Sequence, residues 1–544
     1  MKPRIDCRLV PTSRRMYPLS PLPTRSLSAL DAARDSTVSF QVCFHAKVYA
    51  KLALTAEAEG GLGVRIRRVG FVPMPHFNTP GTDAAEDREG IGFVPGLVPD
   101  PLFDDSTLVV GAGETGSYWI TVSVPKTVQP GEYTISLKAT WDAYDWKSVP
   151  GTPVSRKITV RVHNVVLQPR RDFPVSQCFY VDALFDRYGT DFSQPRFWEL
   201  AEAYLRDVVA HGQNSATVPV FTLPMDGVKR PSQLLHVSRK PDGTWCFDWS
   251  LVRRYVRLAR ECGLEYCDWP HFFTQWGARY AIRIYEGHGE TETLVFPADT
   301  PATSDVYRGF LRAFFPEFHR FLTEEKILKT SLFHVSDEPS GPEGLAAYRA
   351  AREMLRELAP WMRVMDATSD MAFAAQKDLT DAPIPNVDLA LDFLKAGLSE
   401  SWCYYCCIPR SRYINRLLDT PASKILMHGF LFYRWPFHGF LHWGYNYWYK
   451  SQTRQMIDPF TTSDGLAWPG WPHGDTFCVY PGENGPIDSI RWELFGEALQ
   501  DYRLLQTLGV NRDDPLLADI RSFEDFPKSA AWRDRVRREL LSRS

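Results

Sequence analysis

The sequence predicts a multidomain α and β protein, in which an N-terminal β-sandwich is followed by a (β/α)8 TIM-type barrel with insertions. Apolar and polar residues alternate up to about residue 168, and short apolar runs then alternate with long amphipathic segments up to about residue 510. The 544 residues, 44% of them hydrophobic, are enough to fill several sizeable cores. We therefore divide the chain into a sandwich domain (1–168), a barrel (169–510) and a C-terminal helical tail that packs on the barrel (511–544).

Period-two patterns define the predicted sandwich. Residues 36–48, 116–141 and 154–167 alternate apolar with polar side chains and are rich in Val, Thr, Ile and Tyr. The segment QPGEY at 129–133 supplies a turn between two of these runs. Regular short strands separated by turns are typical of two antiparallel sheets packed face to face.

The barrel prediction comes from eight apolar runs that alternate with amphipathic segments. The predicted strands are 175–182, 215–222, 264–273, 330–339, 363–370, 387–393, 424–435 and 439–448. The predicted helices are 197–212, 251–263, 306–327, 341–358 and 488–508. Pro241, Asp242 and Gly243 signal a hairpin within an insertion. An open doubly wound sheet is the alternative, but no Gly-x-Gly-x-x-Gly turn follows the first strand to support its nucleotide-binding version.

Composition excludes several classes of protein. The formal net charge of -3 and the sequence pI of about 6.5 provide no basic field for nucleic acid or an anionic membrane. The N-terminus lacks the apolar segment of a secretory signal, and no run approaches the ~20 apolar residues of a transmembrane helix. We therefore expect a cytoplasmic location. The ten cysteines show no metal-ligand spacing, so we expect buried free thiols and neither a metal nor another cofactor.

Barrels place their working residues where strands end, and these positions combine aromatic, amide and carboxylate side chains. Aromatic rings cover the C–H face of a sugar, and short polar groups bind its hydroxyls. The combination favours a carbohydrate site over simple packing of the barrel mouth. The candidate substrate-binding residues are Tyr180, Asn214, His271, Trp276, Trp443, Tyr445, Asn446, Trp471, Asp475 and Tyr480, with Gln275 and Trp468 beside them.

Asp337 and Glu338 end the fourth predicted barrel strand, where they either cap the next helix or act on a substrate. Ser340 and Glu343 form a better capping box, which leaves the two carboxylates without a capping role. Neighbouring side chains on a strand point to opposite faces, but Pro339 cannot continue the ladder. We therefore expect the chain to bend here and to turn both carboxylates towards one pocket.

The spacing of these two carboxylates bears on the reaction. Ordinary retaining glycosidases use two carboxyl groups ~5 Å apart, usually from different strands, and the last two predicted strands end without a glutamate. An adjacent Asp–Glu pair suits the substrate-assisted exception, in which the 2-acetamido oxygen of the sugar attacks C1. Asp337 would then hold the acetamido N–H, and Glu338 would act as the general acid and base.

Four motifs in this order resemble glycoside hydrolase family 123 and the broader group called domain of unknown function 4091: HVSDEP, GFLHWGYN, GDTFCVYPG and IDSIRWELFGEALQDYRLL. The resemblance covers nearly the whole chain. It implies a β-sandwich, a catalytic (β/α)8 barrel and retaining, substrate-assisted removal of terminal β-linked N-acetylgalactosamine. The catalytic pair of the family falls on Asp337 and Glu338. Tyr445 and Tyr480 are its candidates for hydrogen bonds to the acetamido oxygen.

Two alternatives stay open at this point. One is a glycosidase for a sugar without a 2-acetamido group, in which Glu338 is the acid and Asp475 the nucleophile or base. The other is a non-catalytic carbohydrate-binding protein. In every case we expect a glycan or glycoconjugate as the partner, no nucleic acid and no membrane insertion. The sequence leaves a homo-oligomer possible.

Overall fold

The computed structural model of this chain describes residues 5–79, 84–145, 147–223, 231–287, 292–374, 376, 378–397 and 400–543. Strands dominate up to residue 166, and helices alternate with short strands from residue 175 onwards. No helix among the described residues has both the length and the apolar character needed to cross a membrane.

The N-terminal part consists of two sheets. One has the order β1-β3-β8-β5-β6 and is antiparallel throughout. The other has the order β2-β11-β9-β4-β7, with β2 parallel to β11 and with β10 paired to β9. The strands are β1 Ile5–Pro11, β2 Ala29–Arg34, β3 Ser36–Ala46, β4 Ala50–Ala58, β5 Gly63–Met74, β6 Gly96–Phe103, β7 Thr107–Val110, β8 Thr115–Val124, β9 Gly131–Asp145, β10 Lys147–Pro150 and β11 Val154–Val166.

One apolar core lies between these two sheets. It joins Phe40 and Ile120 of the first sheet to Leu52, Ile135 and Ile158 of the second, all nearly inaccessible to solvent. Strand β4 shows how the sequence dictates this packing, because its residues alternate between buried and exposed from Ala50 to Leu54. This is the layered arrangement that the period-two pattern predicts.

The second part contains three separate parallel ladders, β12-β23-β22, β13-β16-β19 and β20-β21. It also contains the mixed sheet β15-β14-β17-β18 and the antiparallel pair β24-β25. The predicted eight-stranded barrel is therefore not a single continuous sheet in the described residues. The strands are β12 Val175–Gln177, β13 Ser215–Thr217, β14 His236–Arg239, β15 Trp245–Asp248, β16 Tyr266–Asp268, β17 Tyr285–Glu286, β18 Thr293–Leu294, β19 Ser331–Leu332, β20 Met365–Thr368, β21 Ala382–Pro385, β22 Cys403–Tyr404, β23 Phe440–His442, β24 Val479–Pro481 and β25 Pro486–Asp488. Strands β14 and β15 form the hairpin predicted around Asp242.

Helices alternate with these strands along the chain, and all five long helices predicted from the sequence are present. Gly263 ends one of them in the left-handed conformation expected of a C-cap, with a φ of 108°. The helices are α1 Val181–Tyr188, α2 Pro195–Ala210, α3 Ser250–Cys262, α4 Asp305–Glu324, α5 Gly341–Leu358, α6 Met371–Ala374, α7 Ala390–Lys395, α8 Ala422–Ile425, α9 His428–Arg434, α10 Asp464–Ala467, α11 Ile490–Thr507 and α12 Ala530–Ser542.

Three local predictions are wrong. Residues 424–435 form parts of α8 and α9 and not a strand. The prediction failed because this run is buried on nearly all sides, so its sequence shows neither the period of a strand nor that of a helix. Residues 387–393 lead into α7, and the strand lies earlier, at β21. Ser340 is the N-cap of α5, but its side chain makes no capping hydrogen bond, so the predicted capping box does not form.

Helix α11 connects the two parts of the chain through buried charges. Arg491 binds Asp100 of β6, with Nη2 at 3.0 Å from Oδ2, and both side chains are inaccessible to solvent. Glu493 binds Arg67 of β5 at 2.7 Å. Both ion pairs therefore join α11 to the first N-terminal sheet.

The C-terminal tail ends in α12, which packs on α11 and also lies against the second N-terminal sheet. Arg533 binds Asp501 of α11 at 2.6 Å. Arg537 donates a hydrogen bond to the carbonyl oxygen of Asp31 in β2 at 2.6 Å. The tail therefore contacts both parts of the chain.

Candidate active site

The segment after β19 bends sharply at the two adjacent carboxylates. Phe333 still pairs with Val364 in a parallel bridge. Glu338 then adopts a φ of 41°, a left-handed conformation that costs a non-glycine residue roughly 1 kcal/mol or more. Pro339 follows and cannot donate a backbone hydrogen bond. The bend places the consecutive side chains of Asp337 and Glu338 on the wall of one cavity.

This cavity has about 640 Å³ of empty space, including its open mouth. Asp337 and Glu338 are both half-buried in its wall. The other polar lining residues are Gln275, Tyr404 and His442. Four tryptophans, at 276, 443, 468 and 471, line it together with Ala367, Cys406 and Leu441.

Different neighbours hold the two carboxylates. Gln275 Nε2 donates to Asp337 Oδ2 at 3.1 Å, and the backbone N–H of Trp276 donates to the Asp337 carbonyl oxygen at 2.7 Å. The hydroxyl of Tyr404 donates to a carboxylate oxygen of Glu338. Burial, and then the charge of Glu338, raise the pKa of Tyr404 well above its usual value, so this hydroxyl stays protonated. The two acids therefore have unlike surroundings, as a division of catalytic roles requires.

The tryptophans form an ordered wall. The rings of Trp468 and Trp471 are stacked, with centroids 4.2 Å apart and planes 15° apart. Trp443 meets Trp471 edge-on, at 6.0 Å and 87°. Trp276 lies at the mouth, where 58% of its surface is exposed. Such a wall offers flat apolar faces to the C–H groups of a sugar ring.

Asp475 holds this wall from behind. The indole N–H groups of Trp443 and Trp471 both donate to its Oδ2, each at 2.9 Å. The carboxylate of Asp464 in turn accepts the backbone N–H groups of residues 474–476, at 2.7 to 2.8 Å. Burial raises the pKa of Asp475 to about 6, although the two indole hydrogen bonds favour its charged form. The orientation of two wall residues thus depends on one buried carboxylate.

A buried charge network supports the strand end beneath the carboxylates. His334 Nε2 lies 2.8 Å from Asp268 Oδ1, and its Nδ1 lies 3.6 Å from Asp366 Oδ1. Burial disfavours the charged imidazole, but Asp268 and then Asp366 outweigh it and raise the pKa of His334 to about 10. Tyr348 donates a hydrogen bond to Asp366 from α5. An imidazolium two residues after β19 therefore connects the segment that leads to Asp337 with β16 and β20.

Two groups of side chains in the described residues have metal-ligand atoms within 4.8 Å of one another: His271, His334 and Asp366, and Asp207, His211 and Asp488. Each group contains a histidine whose pKa neighbouring carboxylates raise, His334 to about 10 and His211 well above its usual value, against the opposing effect of burial. In this structure His334 lies between Asp268 and Asp366, and His211 lies between Asp207 and Glu493, so both histidines belong to ion-pair networks.

The comparisons with known proteins assign the family. The glycoside hydrolase 123 catalytic domain matches residues 179–508, more than half of the chain. The chain belongs to glycoside hydrolase family 123. A family 123 glycoside hydrolase from Clostridium perfringens, described for its hydrolysis of glycolipid glycans, has a TM-score of 0.70 at 13% identity, with 99% of this chain and 96% of that chain covered. At 13% sequence identity, this structural similarity shows a shared fold and no more.

A more distant structure is the β-D-glucuronidase of Dictyoglomus thermophilum, with a TM-score of 0.33 at 10% identity over 85% of this chain and 66% of that chain. This similarity is too low to support an argument. No curated protein matches the sequence. The assignment of this glycoside hydrolase to family 123 therefore rests on the domain match.

Five of the predicted site residues of this family 123 protein line the cavity: Trp276, Asp337, Glu338, Trp443 and Trp471. Asp475 lies directly behind them, bonded to two of the tryptophans. His271 is partly buried and lies outside the cavity lining, with its ring 5.0 Å from that of His334. Burial, and then the charge of His334, hold the pKa of His271 well below its usual value.

The structure places the other five predicted residues away from the cavity lining. Tyr180 donates to the Trp443 carbonyl oxygen at 3.0 Å, and Asn446 Oδ1 accepts the Tyr180 backbone N–H at 2.8 Å. These two residues support the wall from outside the cavity. Asn214 comes before β13, at the end of the strand away from the carboxylates, and its Oδ1 accepts from Arg170 at 2.8 Å.

Tyr445 and Tyr480 are fully buried. The Tyr445 hydroxyl donates to Asp207 Oδ2 at 2.6 Å, and the Tyr480 hydroxyl donates to Asp100 Oδ2 at 2.7 Å. Both hydroxyls are thus engaged with carboxylates outside the cavity lining, so the proposed contact of either residue with an acetamido oxygen has no support from this geometry.

Sequence reasoning missed five residues of the cavity lining: Ala367, Tyr404, Cys406, Leu441 and His442. Tyr404 ends a strand of two residues and Cys406 comes two residues later, and a strand this short gives no period. His442 ends β23 directly before Trp443, so its place at the carboxyl end of a parallel strand was the available signal.

Proposed function

We propose that this protein is a retaining exo-glycosidase that removes terminal β-linked N-acetylgalactosamine by substrate-assisted catalysis. The observation that carries this proposal is the bend at Glu338, which turns two adjacent carboxylates into one tryptophan-walled cavity. The glycolipid glycans hydrolysed by the Clostridium perfringens relative support a glycoconjugate as the substrate class.

In the first step the carbonyl oxygen of the 2-acetamido group attacks C1, and the bond between C1 and the leaving oxygen breaks. Glu338 transfers its proton to that leaving oxygen. The acetamido nitrogen gains positive character in the resulting oxazolinium ring, and Asp337, held by Gln275, accepts its N–H and stabilises this charge.

In the second step a water molecule attacks C1 and opens the oxazolinium ring. Glu338, now ionised, takes a proton from this water, so the enzyme returns to its starting state and the product keeps the β configuration. The hydroxyl of Tyr404 stabilises the ionised form of Glu338 between the two steps.

Direct displacement by a second carboxylate is less compatible with this arrangement. Asp475 is the candidate nucleophile, but only 1% of its surface is exposed. Its Oδ2 already accepts the indole N–H groups of two tryptophans that line the cavity. A carboxylate in this position supports the wall and is poorly placed to reach C1.

We also propose that the parallel strands form one (β/α)8 barrel, with the two carboxylates at its carboxyl-terminal rim. The links between the three ladders are the bridges Phe333–Val364 and Asn386–Tyr404 and the hydrogen bond from Asn214 N to Val175 O at 3.4 Å. Domain boundaries near residues 168 and 510 belong to the same proposal, and limited proteolysis at these positions tests them.

A panel of 4-nitrophenyl β-glycosides with and without the 2-acetamido group tests the proposed reaction. The wild-type protein should cleave the N-acetylgalactosaminide and leave sugars with a 2-hydroxyl intact. Asp337→Asn should lower kcat on the acetamido substrate by ~10²- to 10⁴-fold. Glu343→Gln removes an exposed carboxylate from the first turn of α5 and is the matched control.

Leaving-group dependence identifies the acid. Glu338→Gln should lose ~10²- to 10⁴-fold on an alkyl N-acetylgalactosaminide, which needs protonation, and much less on a 2,4-dinitrophenyl one, which does not. Cleavage of a 2-hydroxy glycoside in preference to the acetamido substrate would support a conventional glycosidase. If wild type hydrolyses no substrate faster than the inactive control Asp337→Asn/Glu338→Gln, this would support a non-catalytic binding protein.

A further inference from the structure

Two buried polar atoms next to the cavity have no hydrogen-bond partner: Nε2 of His442, which belongs to the lining, and Oδ1 of Asp475, which does not. They face each other at 3.4 Å, and each residue exposes only 1% of its surface. His442 belongs to the cavity lining, between Leu441 and Trp443. This unsatisfied pair therefore adjoins the space assigned to the sugar.

Their surroundings fix one atom as a donor and the other as an acceptor. The backbone N–H of Gly444 donates to His442 Nδ1 at 2.9 Å, so the proton of the neutral ring is on Nε2. Burial, and then the charges of Arg416 and Arg491, hold the pKa of His442 well below its usual value, which keeps the ring neutral. Asp475 Oδ2 is engaged by two indole N–H groups, which leaves Oδ1 as the acceptor.

Leaving such groups unpaired is costly, at ~1 to 3 kcal/mol for each buried atom. A hydroxyl group suits the pair because it accepts one hydrogen bond and donates another. With ordinary lengths of ~2.8 Å, a single hydroxyl oxygen reaches two atoms that are 3.4 Å apart. A cation does not suit this pair, because the Nε2–H points a proton at the same space.

We propose that His442 Nε2 and Asp475 Oδ1 form a subsite for one hydroxyl group of the terminal sugar, with the histidine as donor and the carboxylate as acceptor. This inference rests on the proposed function, which assigns the C1 and C2 substituents to Glu338 and Asp337. The subsite then takes one of the remaining hydroxyls, at C3, C4 or C6, and makes His442 a determinant of sugar specificity.

Calorimetric binding of N-acetylgalactosamine and of its 3-deoxy, 4-deoxy and 6-deoxy analogues tests the subsite on the full-length protein. One analogue should bind wild type ~10- to 100-fold more weakly than the parent sugar, because it leaves both buried atoms unpaired. The other two should bind within a few-fold of the parent. This series needs no variant, so it is independent of any effect of substitution on folding.

Two substitutions of His442 assign the effect. His442→Asn keeps an acceptor for the Gly444 N–H and removes the Nε2 donor. It should therefore bind the parent sugar more weakly than wild type does, and the affinity difference between the parent sugar and the sensitive analogue should fall to a few-fold. His442→Gln retains a donor near the Nε2 position and should preserve most of the penalty. His319→Asn, on the outer side of α4 against Trp361, is the control.

Binding and hydrolysis together separate this inference from the proposed function. Cleavage of the aryl N-acetylgalactosaminide with equal binding of all four sugars would overturn the subsite and leave the function intact. If one deoxy analogue binds more weakly than the parent sugar and this difference depends on His442, but the aryl N-acetylgalactosaminide is not cleaved, the subsite would be supported and the proposed glycosidase function overturned. The subsite would be overturned if the loss of affinity for the deoxy analogue were the same in His442→Asn as in wild type. It would also be overturned if none of the four sugars bound.

Discussion

Replacing His334 should change the pH dependence of stability, because this buried imidazolium lies between Asp268 and Asp366. Its pKa rises from 6.5 to about 10 on folding. A raised histidine pKa stabilises the fold fully below pH ~6.5 and loses that stabilisation as the pH rises towards 10. At ~1.4 kcal/mol for each pKa unit, His334 should lose about 2 to 3 kcal/mol of its contribution between pH 7 and pH 9.

Urea unfolding of wild type and His334→Gln at pH 7, 8 and 9 measures this loss. Wild type should be the more stable protein at pH 7, and its advantage should shrink by about 2 to 3 kcal/mol at pH 9, because glutamine has no proton to release. His319→Gln should show no comparable trend. A difference between wild type and His334→Gln that stays constant within about 0.5 kcal/mol over this range would refute the charged state assigned to His334.

Two further predictions concern the site and the packing around it. Tyr404→Phe removes the hydrogen bond to Glu338 and should lower kcat/KM on the aryl N-acetylgalactosaminide by ~10- to 100-fold with the melting temperature nearly unchanged; an unaltered kcat/KM would contradict the role of this hydroxyl. Gly429→Ala should destabilise the protein by at least about 2 kcal/mol, because the new Cβ would lie 1.9 Å from the Ala498 carbonyl oxygen, whereas Gly309→Ala in α4 meets open space and should be neutral or stabilising by up to about 1 kcal/mol. Equal melting temperatures for the two alanine variants would show that α9 and α11 are not in close contact.

The sequence predicted local structure best at positions where the residue type allows only one backbone conformation or one environment. Pro339 after two carboxylates predicted a bend, and Glu338 makes it with a φ of 41°. Alternation predicted strands within residues 36–48, 116–141 and 154–167, and β3, β8, β9 and β11 overlap these ranges. Tryptophans at and beyond the ends of predicted strands indicated a carbohydrate site, and Trp443 and Trp471 line the cavity.

Prediction failed where the local pattern is compatible with two structures. The run from 424 to 435 is buried on all sides, so neither a period of two nor one of 3.6 is visible, and the helices α8 and α9 were missed. Strand β21 contains Pro383 and Pro385, which argue against a strand in any sequence-based reading. Partners such as Asp207 for Tyr445 come from distant parts of the chain, and no local rule reveals them.

The central claim is that the sugar's own acetamido group is the nucleophile and that Asp337 stabilises the cyclised intermediate. The most direct test is the inhibition constant of N-acetylgalactosamine-thiazoline, a stable mimic of that ring, for wild type and Asp337→Asn. The account predicts competitive inhibition of wild type, with affinity well above that of the free sugar, and a loss of at least ~10-fold in the variant. Hydrolysis of the acetamido substrate without any inhibition by the thiazoline would contradict it.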